Sequence, residues 1–148
     1  MMAFAYKFQK LFVLKENEKN QSFAMYQKSV DDFEKAAEKL YENMKLKEEL
    51  EKSKDNKLQN GMSIQEMRHY QRFCTNLETT IFHYQQLVLA KRNHMNEKQE
   101  ELTEISMELK KYEKMKEKQK LSFLTQENAV QIKEMDELSM KQFMFQGS

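Results

Sequence analysis

Three histidines and one cysteine are the side chains best suited to hold a metal or act as nucleophiles, and their spacing argues against both. His69, His83 and His94 are not at ligand spacing with one another or with Cys74, and neither HxxxH nor CxxC occurs. They read as surface histidines. Cys74 falls in line with apolar residues three and four positions away, the place of a small core hydrophobe rather than a thiolate nucleophile. There is no glycine-rich phosphate loop and no Gly-x-Ser-x-Gly. Neither catalysis nor a cofactor is expected.

The charged residues form blocks. Glu97, Glu101, Glu104 and Glu108 make an acidic column at helical spacing, and Lys110, Lys111, Lys114, Lys116, Lys118 and Lys120 follow. Like charges on one helical face cost roughly 0.2–0.5 kcal/mol per pair, so these blocks do not serve helix stability. They read first as solvated faces and second as a contact zone for a partner. Aromatic residues are sparse among those lysines, and 25 Lys and Arg stand against 24 Asp and Glu, a net charge of +1. No nucleic-acid partner is expected.

The elements that carry these residues are long helices. A third of the 148 residues are charged, proline and tryptophan are absent, and mean hydropathy is −0.93. Such a composition favours a narrow apolar seam over a layered core. One stretch interrupts the helical pattern. Apart from Gly147, Gly61 is the only glycine, so Asn60-Gly61 marks the place where the backbone takes positive φ and closes a helix. Ser63 follows as an N-cap, with Glu66 placed to complete a capping box and Met62 and Met67 to form a staple. The whole chain therefore reads as all-α: a long antiparallel two-helix coiled-coil hairpin over residues 1–148 with a longer second helix. Its first arm covers about 4–58, its turn about 59–63 and its second arm about 64–145.

The first arm opens with Phe4, Phe8, Leu11 and Phe12. Its seam then reads Phe23, Tyr26, Val30, Phe33, Ala37, Leu40 and Met44, with a register slip expected within Lys15 to Gln21. The second arm steps three and four without a break from Met67 through Tyr70, Cys74 and Leu77 to Leu109 and Tyr112, interrupted only by Lys91 and Lys98. So long a phase implies supercoiling. With the reversal near Gly61, residue i of the first arm lies opposite about 122 minus i on the second. Asp31 and Asp32 then fall near Lys91 and Arg92, where they can compensate the polar interruption. Beyond about residue 118 the second arm has no counterpart, yet Leu121, Leu124, Ile132, Met135, Leu138 and Phe143 are apolar. They call for a fold-back or another protein.

The same register sets Tyr70, Phe73, Cys74, Leu77 and Tyr84 against Lys47, Glu51 and Lys54 rather than aliphatic partners. Phe73, Leu77, Thr80 and Tyr84 share one stripe at the seam's edge. Two readings stand: aromatics flattened against Leu46 and Leu50, or a docking stripe for another protein.

The residues around the turn carry a resemblance. Asn60-Gly61-Met62-Ser63, Tyr70-Gln71-Arg72-Phe73, Leu77-Glu78, Ile81 and Tyr84-Gln85 resemble the central signature of the FliJ family, small coiled-coil components of the flagellar type III export apparatus. The opening Tyr6 to Leu11 and the late Lys133 to Leu138 look like that family's ends. The resemblance implies a non-enzymatic stalk similar to the γ subunit of rotary ATPases. Its terminal end would enter the hexameric export ATPase ring, promoting ring assembly and hydrolysis. Its surface would dock on the cytoplasmic domain of the membrane export gate, and it would handle export chaperones. Carried over by position, the gate stripe is Phe73, Leu77, Thr80 and Tyr84, although other members carry Ala and His where Thr80 and Tyr84 stand. Phe8, Leu11, Leu121 and Leu124 would lie at the ring-entering end. Two alternatives are the equivalent stalk of a virulence injectisome and a self-associating coiled-coil spacer.

A lone cysteine and the lack of a signal peptide point to a reducing compartment, and no stretch approaches the roughly 20 apolar residues of a membrane span. A cytoplasmic protein, peripheral on the cytoplasmic face of the membrane, is expected.

Overall fold

A computed structural model describes residues 8–146; Phe4, the Tyr6-Lys7 pair and Gly147-Ser148 lie outside the described residues. Two helices account for nearly all of it, α1 (Gln9–Asn60) and α2 (Ile64–Gln146). They run antiparallel, and α2 is the longer, as the sequence predicts. Backbone contacts group the chain into two compact units. One comprises Gln21–Thr103; the other joins the part of α1 before it to α2 from Glu104 onward.

Within the Gln21–Thr103 unit, α1 ends at Asn60 and Gly61 turns the chain at φ +94°, its N–H 3.4 Å from the Leu58 carbonyl oxygen. A side chain there would meet no clash, so the requirement is conformational rather than steric. Ser63 then caps α2. Its Oγ accepts the Glu66 N–H at 3.2 Å, and its carbonyl oxygen accepts the Met67 N–H at 3.0 Å. The reciprocal bond from the Glu66 carboxylate to the Ser63 N–H is absent among the described residues. Above the turn, the Tyr70 hydroxyl is 3.3 Å from Ser53 Oγ, and Lys57 Nζ stands 5.3 Å from the Tyr70 ring centroid.

The inner row of α2 follows the expected line: Tyr70, Cys74, Leu77, Ile81, Tyr84, Val88, Lys91, Met95, Lys98 and Leu102 are all buried or half-buried. Met67 alone drops out, 40% exposed. The inner row of α1 differs from expectation at every second step. Ser22, Ser29, Ala36 and Asn43 turn inward beside Tyr26, Phe33 and Leu40, while Phe23 and Met44 stand on the flank, about half exposed. The row that includes Ser22 continues in unbroken three-four steps through Lys19 and Lys15 to Phe12 and Phe8, so no register slip occurs. Small side chains inside bring the helix backbones close, and the larger residues pack along the edges. Ser29, the most deeply buried residue, satisfies its hydroxyl by donating to the Tyr26 carbonyl oxygen at 2.6 Å. Ser22 Oγ, also buried, has no hydrogen-bond partner among the described residues.

Two further corrections follow. Leu50 occupies the inner row between Lys47 and Lys54, whereas Glu51 is exposed, so the α1 residues near the turn are less polar inside than the register arithmetic implied. Asp31 and Asp32 form no ion pair with Lys91 or Arg92 among the described residues.

In the second unit, Phe12 and Leu109 form the core, flanked by Phe8 and Tyr112. Lys116 Nζ lies 5.0 Å from the Phe12 ring centroid, and Lys15 bridges to Glu108 at 3.0 Å and to Glu18 at 3.3 Å. Phe12 against Leu109 and Lys15 against Glu108, like Ser53 against Tyr70 in the other unit, fall within one residue of the expected register. Beyond Glu127 every residue of α2 through Gln146 is exposed, and the helix does not fold back.

Because so few side chains are fully buried, single truncations separate seam from flank. Leu109→Ala is expected to cost about 2–4 kcal/mol and Phe23→Ala less than about 1 kcal/mol, measured by thermal unfolding followed by circular dichroism. Ser63→Ala is expected to cost about 1 kcal/mol through the lost cap, and Gly61→Ala a similar amount through its positive φ, in the same assay.

Candidate partner-binding surfaces

The stripe on α2 near the turn is a mixture of presented and supporting side chains. Phe73 is 43% exposed, whereas Leu77 is 7% exposed and faces the seam. Thr80 and Tyr84 are half-buried. Threonine hydroxyls along this part of α2 turn back on the helix: Thr80 Oγ1 donates to the Asn76 carbonyl oxygen at 3.0 Å. The Tyr84 ring meets His83 edge-on, with centroids 5.5 Å apart and planes at 65°. Phe73 and Tyr84 are thus the two aromatic residues of this row with accessible surface, and Leu77 between them is buried in the seam. Asn60, Gly61, Ser63 and Glu66 do not border the stripe as ligands; they fix the turn from which α2 starts.

Electrostatics near the stripe come from paired charges. Lys47, on the inner row of α1, reaches Glu78 at 3.4 Å and Glu51 at 3.9 Å. Next to the turn, the Tyr70 hydroxyl raises the pKa of Lys57. Hydrogen bonding from Ser53, and then from Lys57, lowers that of Tyr70. In the acidic column, Glu101 pairs with Lys98 at 3.2 Å and Glu108 with Lys15. Hydrogen bonding to Glu108, and then to Glu18, raises the pKa of Lys15. The column is therefore partly used within the chain to hold seam lysines, whose stems lie along the apolar row with the ammonium groups outward.

At the other end of α2, Phe8 is half-buried against the Phe12–Leu109 core and Leu11 is half-buried, while Leu121 and Leu124 are 66% and 44% exposed. Further along, Ile132, Met135, Leu138 and Phe143 are each at least 60% exposed. These residues stand on a helix with polar residues interspersed around it, an arrangement that offers apolar contacts in more than one direction.

The histidines are exposed, and among the described residues no group of three potential ligands gathers for a metal. Cys74 is a free, half-buried thiol on the seam. Surface concavities are open grooves, one of them lined by Tyr41, Met44, Lys45 and Glu48. No helix among the described residues is long and apolar enough to cross a membrane.

Sequence reasoning passed over one surface. Tyr41, Met44, Phe82 and Leu89 are all about half exposed or more, on the flank away from Phe73. Met44 had been assigned to the seam; Phe82 and Leu89 fit no inner row. The available signal was their spacing of seven within a row otherwise rich in amides and poor in charge.

Comparison with known proteins supplies the family. The model of the family described as "Flagellar FliJ protein" matches residues 4–148. A protein of the same description from Bacillus subtilis (strain 168) is 60% identical over 146 residues, covering 99% of both chains. No solved structure matches significantly. Family match and relative both extend over nearly the whole chain, and the chain belongs to the FliJ family of flagellar proteins.

Proposed function

We propose that this protein is a non-enzymatic component of the flagellar type III export apparatus, acting as a stalk for the hexameric export ATPase. The observation that carries the reading is the end of α2 in a FliJ-family chain: a helix whose apolar residues from Leu121 to Phe145 are largely exposed. Apolar surface left in this way favours a partner that encloses it. A ring that surrounds a single helix can use residues on several of its sides, whereas a flat partner surface would use one. The basic run Lys110 to Lys120 adjoins this end and suits an acidic entrance. In this reading Phe8, Leu11, Leu121 and Leu124 serve the ring. The chain performs no reaction itself; it biases the ring's assembly and hydrolysis.

The stripe serves a second partner, the cytoplasmic domain of the membrane export gate. Phe73 and Tyr84 are its anchors, Thr80 lies between them and Leu77 supports them from the seam. Handling of flagellar export chaperones belongs to the same proposal, as does a cytoplasmic location peripheral to the membrane.

ATP hydrolysis by the cognate export ATPase tests the first part. Full-length protein is expected to stimulate it, and a chain ending at Lys120 is expected to lose the stimulation while keeping its helical spectrum and the Phe12–Leu109 core. Absence of stimulation and of ring binding by the full chain would remove the stalk reading.

For the stripe, Phe73→Ala is expected to weaken binding to the isolated gate domain by about tenfold or more, which is roughly 1.4 kcal/mol, without changing ATPase stimulation. Isothermal titration calorimetry gives the first quantity. Leu77→Ala is a poor probe, because burial makes its effect on stability inseparable from docking.

A further inference from the structure

The flank opposite Phe73 carries a row on α2 whose order has a symmetry of its own. It steps four and three from Gln71 to Gln99, and every residue in it is exposed. Gln85 is its midpoint. Seven residues to one side stands Glu78, and seven to the other stands Arg92. Between these charges and the midpoint come Phe82 on one side and Leu89 on the other, 61% and 53% exposed. Farther out the polar residues match as well, Thr75 with Asn96 and Gln71 with Gln99. In a chain one-third charged, this row holds a single acid and a single base.

We propose that this flank is the interface of a symmetric dimer, in which a second copy of this chain lies antiparallel across α2 about a two-fold axis at Gln85. A two-fold interface presents the same patch twice, so its sequence must be complementary to its own reversal. Here reversal sets Glu78 against Arg92 of the second copy and Gln85 against itself, and it brings Phe82, three residues before the midpoint, within one residue of Leu89, four after it. A different protein would impose no such order on the row. Depletion of charge around exposed aromatic and aliphatic residues is also the composition of an interface core.

One pair of α1 residues on the same flank shares this symmetry. The Lys47–Glu78 ion pair places the outer edge of α1 beside this row. Along that edge Val30 and Met44 are each seven residues from Ala37, which lies opposite Gln85 in the hairpin register. Both outer residues are apolar, and the central one is small. Antiparallel stacking therefore sets Val30 against Met44 of the second copy and leaves room at the axis for the two helix pairs to approach. Phe73 lies on the other flank and α2 beyond Thr103 is not involved, so the dimer does not depend on the export reading.

Sedimentation equilibrium of the full-length chain over about a hundredfold range of concentration tests the proposal, with Cys74→Ser throughout to exclude its thiol. Wild type is expected to pass from monomer to dimer. Phe82→Glu is expected to remain monomeric, and Arg92→Glu or Glu78→Arg alone to weaken the dimer by about tenfold or more. The double exchange Glu78→Arg with Arg92→Glu is expected to restore it to within about threefold of wild type. Mild oxidation supplies a second reading. Gln85→Cys is expected to cross-link to its own copy, and Gln86→Cys to cross-link far less. A monomer at all concentrations would overturn the proposal. So would self-association that the single and double charge exchanges leave equal, or cross-linking as rapid at position 86 as at 85.

Discussion

The structure depends on one narrow strip of contact between two helices. A globular domain spreads burial over several faces of each element; here each helix commits one row, and among the described apolar residues only Phe12, Ala36, Leu77 and Leu109 are buried. With no second layer, the register of that strip must be held by whatever lies along it. Lysines do part of this work. Lys15 and Lys47 lie along the seam and reach carboxylates on the opposite helix, so acids that look like surplus surface charge secure alignment. Ion pairs this exposed stabilise little in isolation, but they penalise a slip that would leave a seam lysine unpaired.

Much of the fold was legible from residue spacing because a hairpin has few degrees of freedom. One glycine in a chain without proline fixed the reversal, Ser63 fixed the start of α2, and the unbroken heptads of α2 gave its inner row almost residue by residue. The α1 row was harder to read. Sequence patterning ranks Phe23 and Met44 above Ser22 and Asn43 as seam residues, and the structure reverses that ranking. Two close helices need small side chains at the narrowest contact, and hydrophobicity alone does not report how much room a position has. Extending the register from Phe23 and Met44 set Glu51 on the inner row with Leu50 only beside it, which made the row opposite the stripe look more polar than it is.

The candidate surfaces were less legible than the fold. Phe73 and Tyr84 were found by their imbalance with α1, but spacing could not distinguish Leu77 as a floor from Phe73 as a projection, since both lie near the same edge. The exposed apolar end of α2 was evident from arm lengths. The family follows from matches along nearly the whole sequence, and the roles assigned to each surface rest on what exposed apolar residues on such a scaffold can bind. With so little core to protect, surface positions are free to serve partners on several sides.

The single turn at Gly61 also sets an order of assembly. Ser53 and Tyr70 are only 17 residues apart, so contacts near the turn close a short loop, whereas joining Phe12 to Leu109 closes most of the chain. Loop-closure entropy rises with length, and each pair formed shortens the loop left for the next. The hairpin therefore zips from its turn toward its termini. Closing the Phe12–Leu109 core directly from the open chain carries the largest loop cost of these contacts, so pairs nearer the turn lower it first.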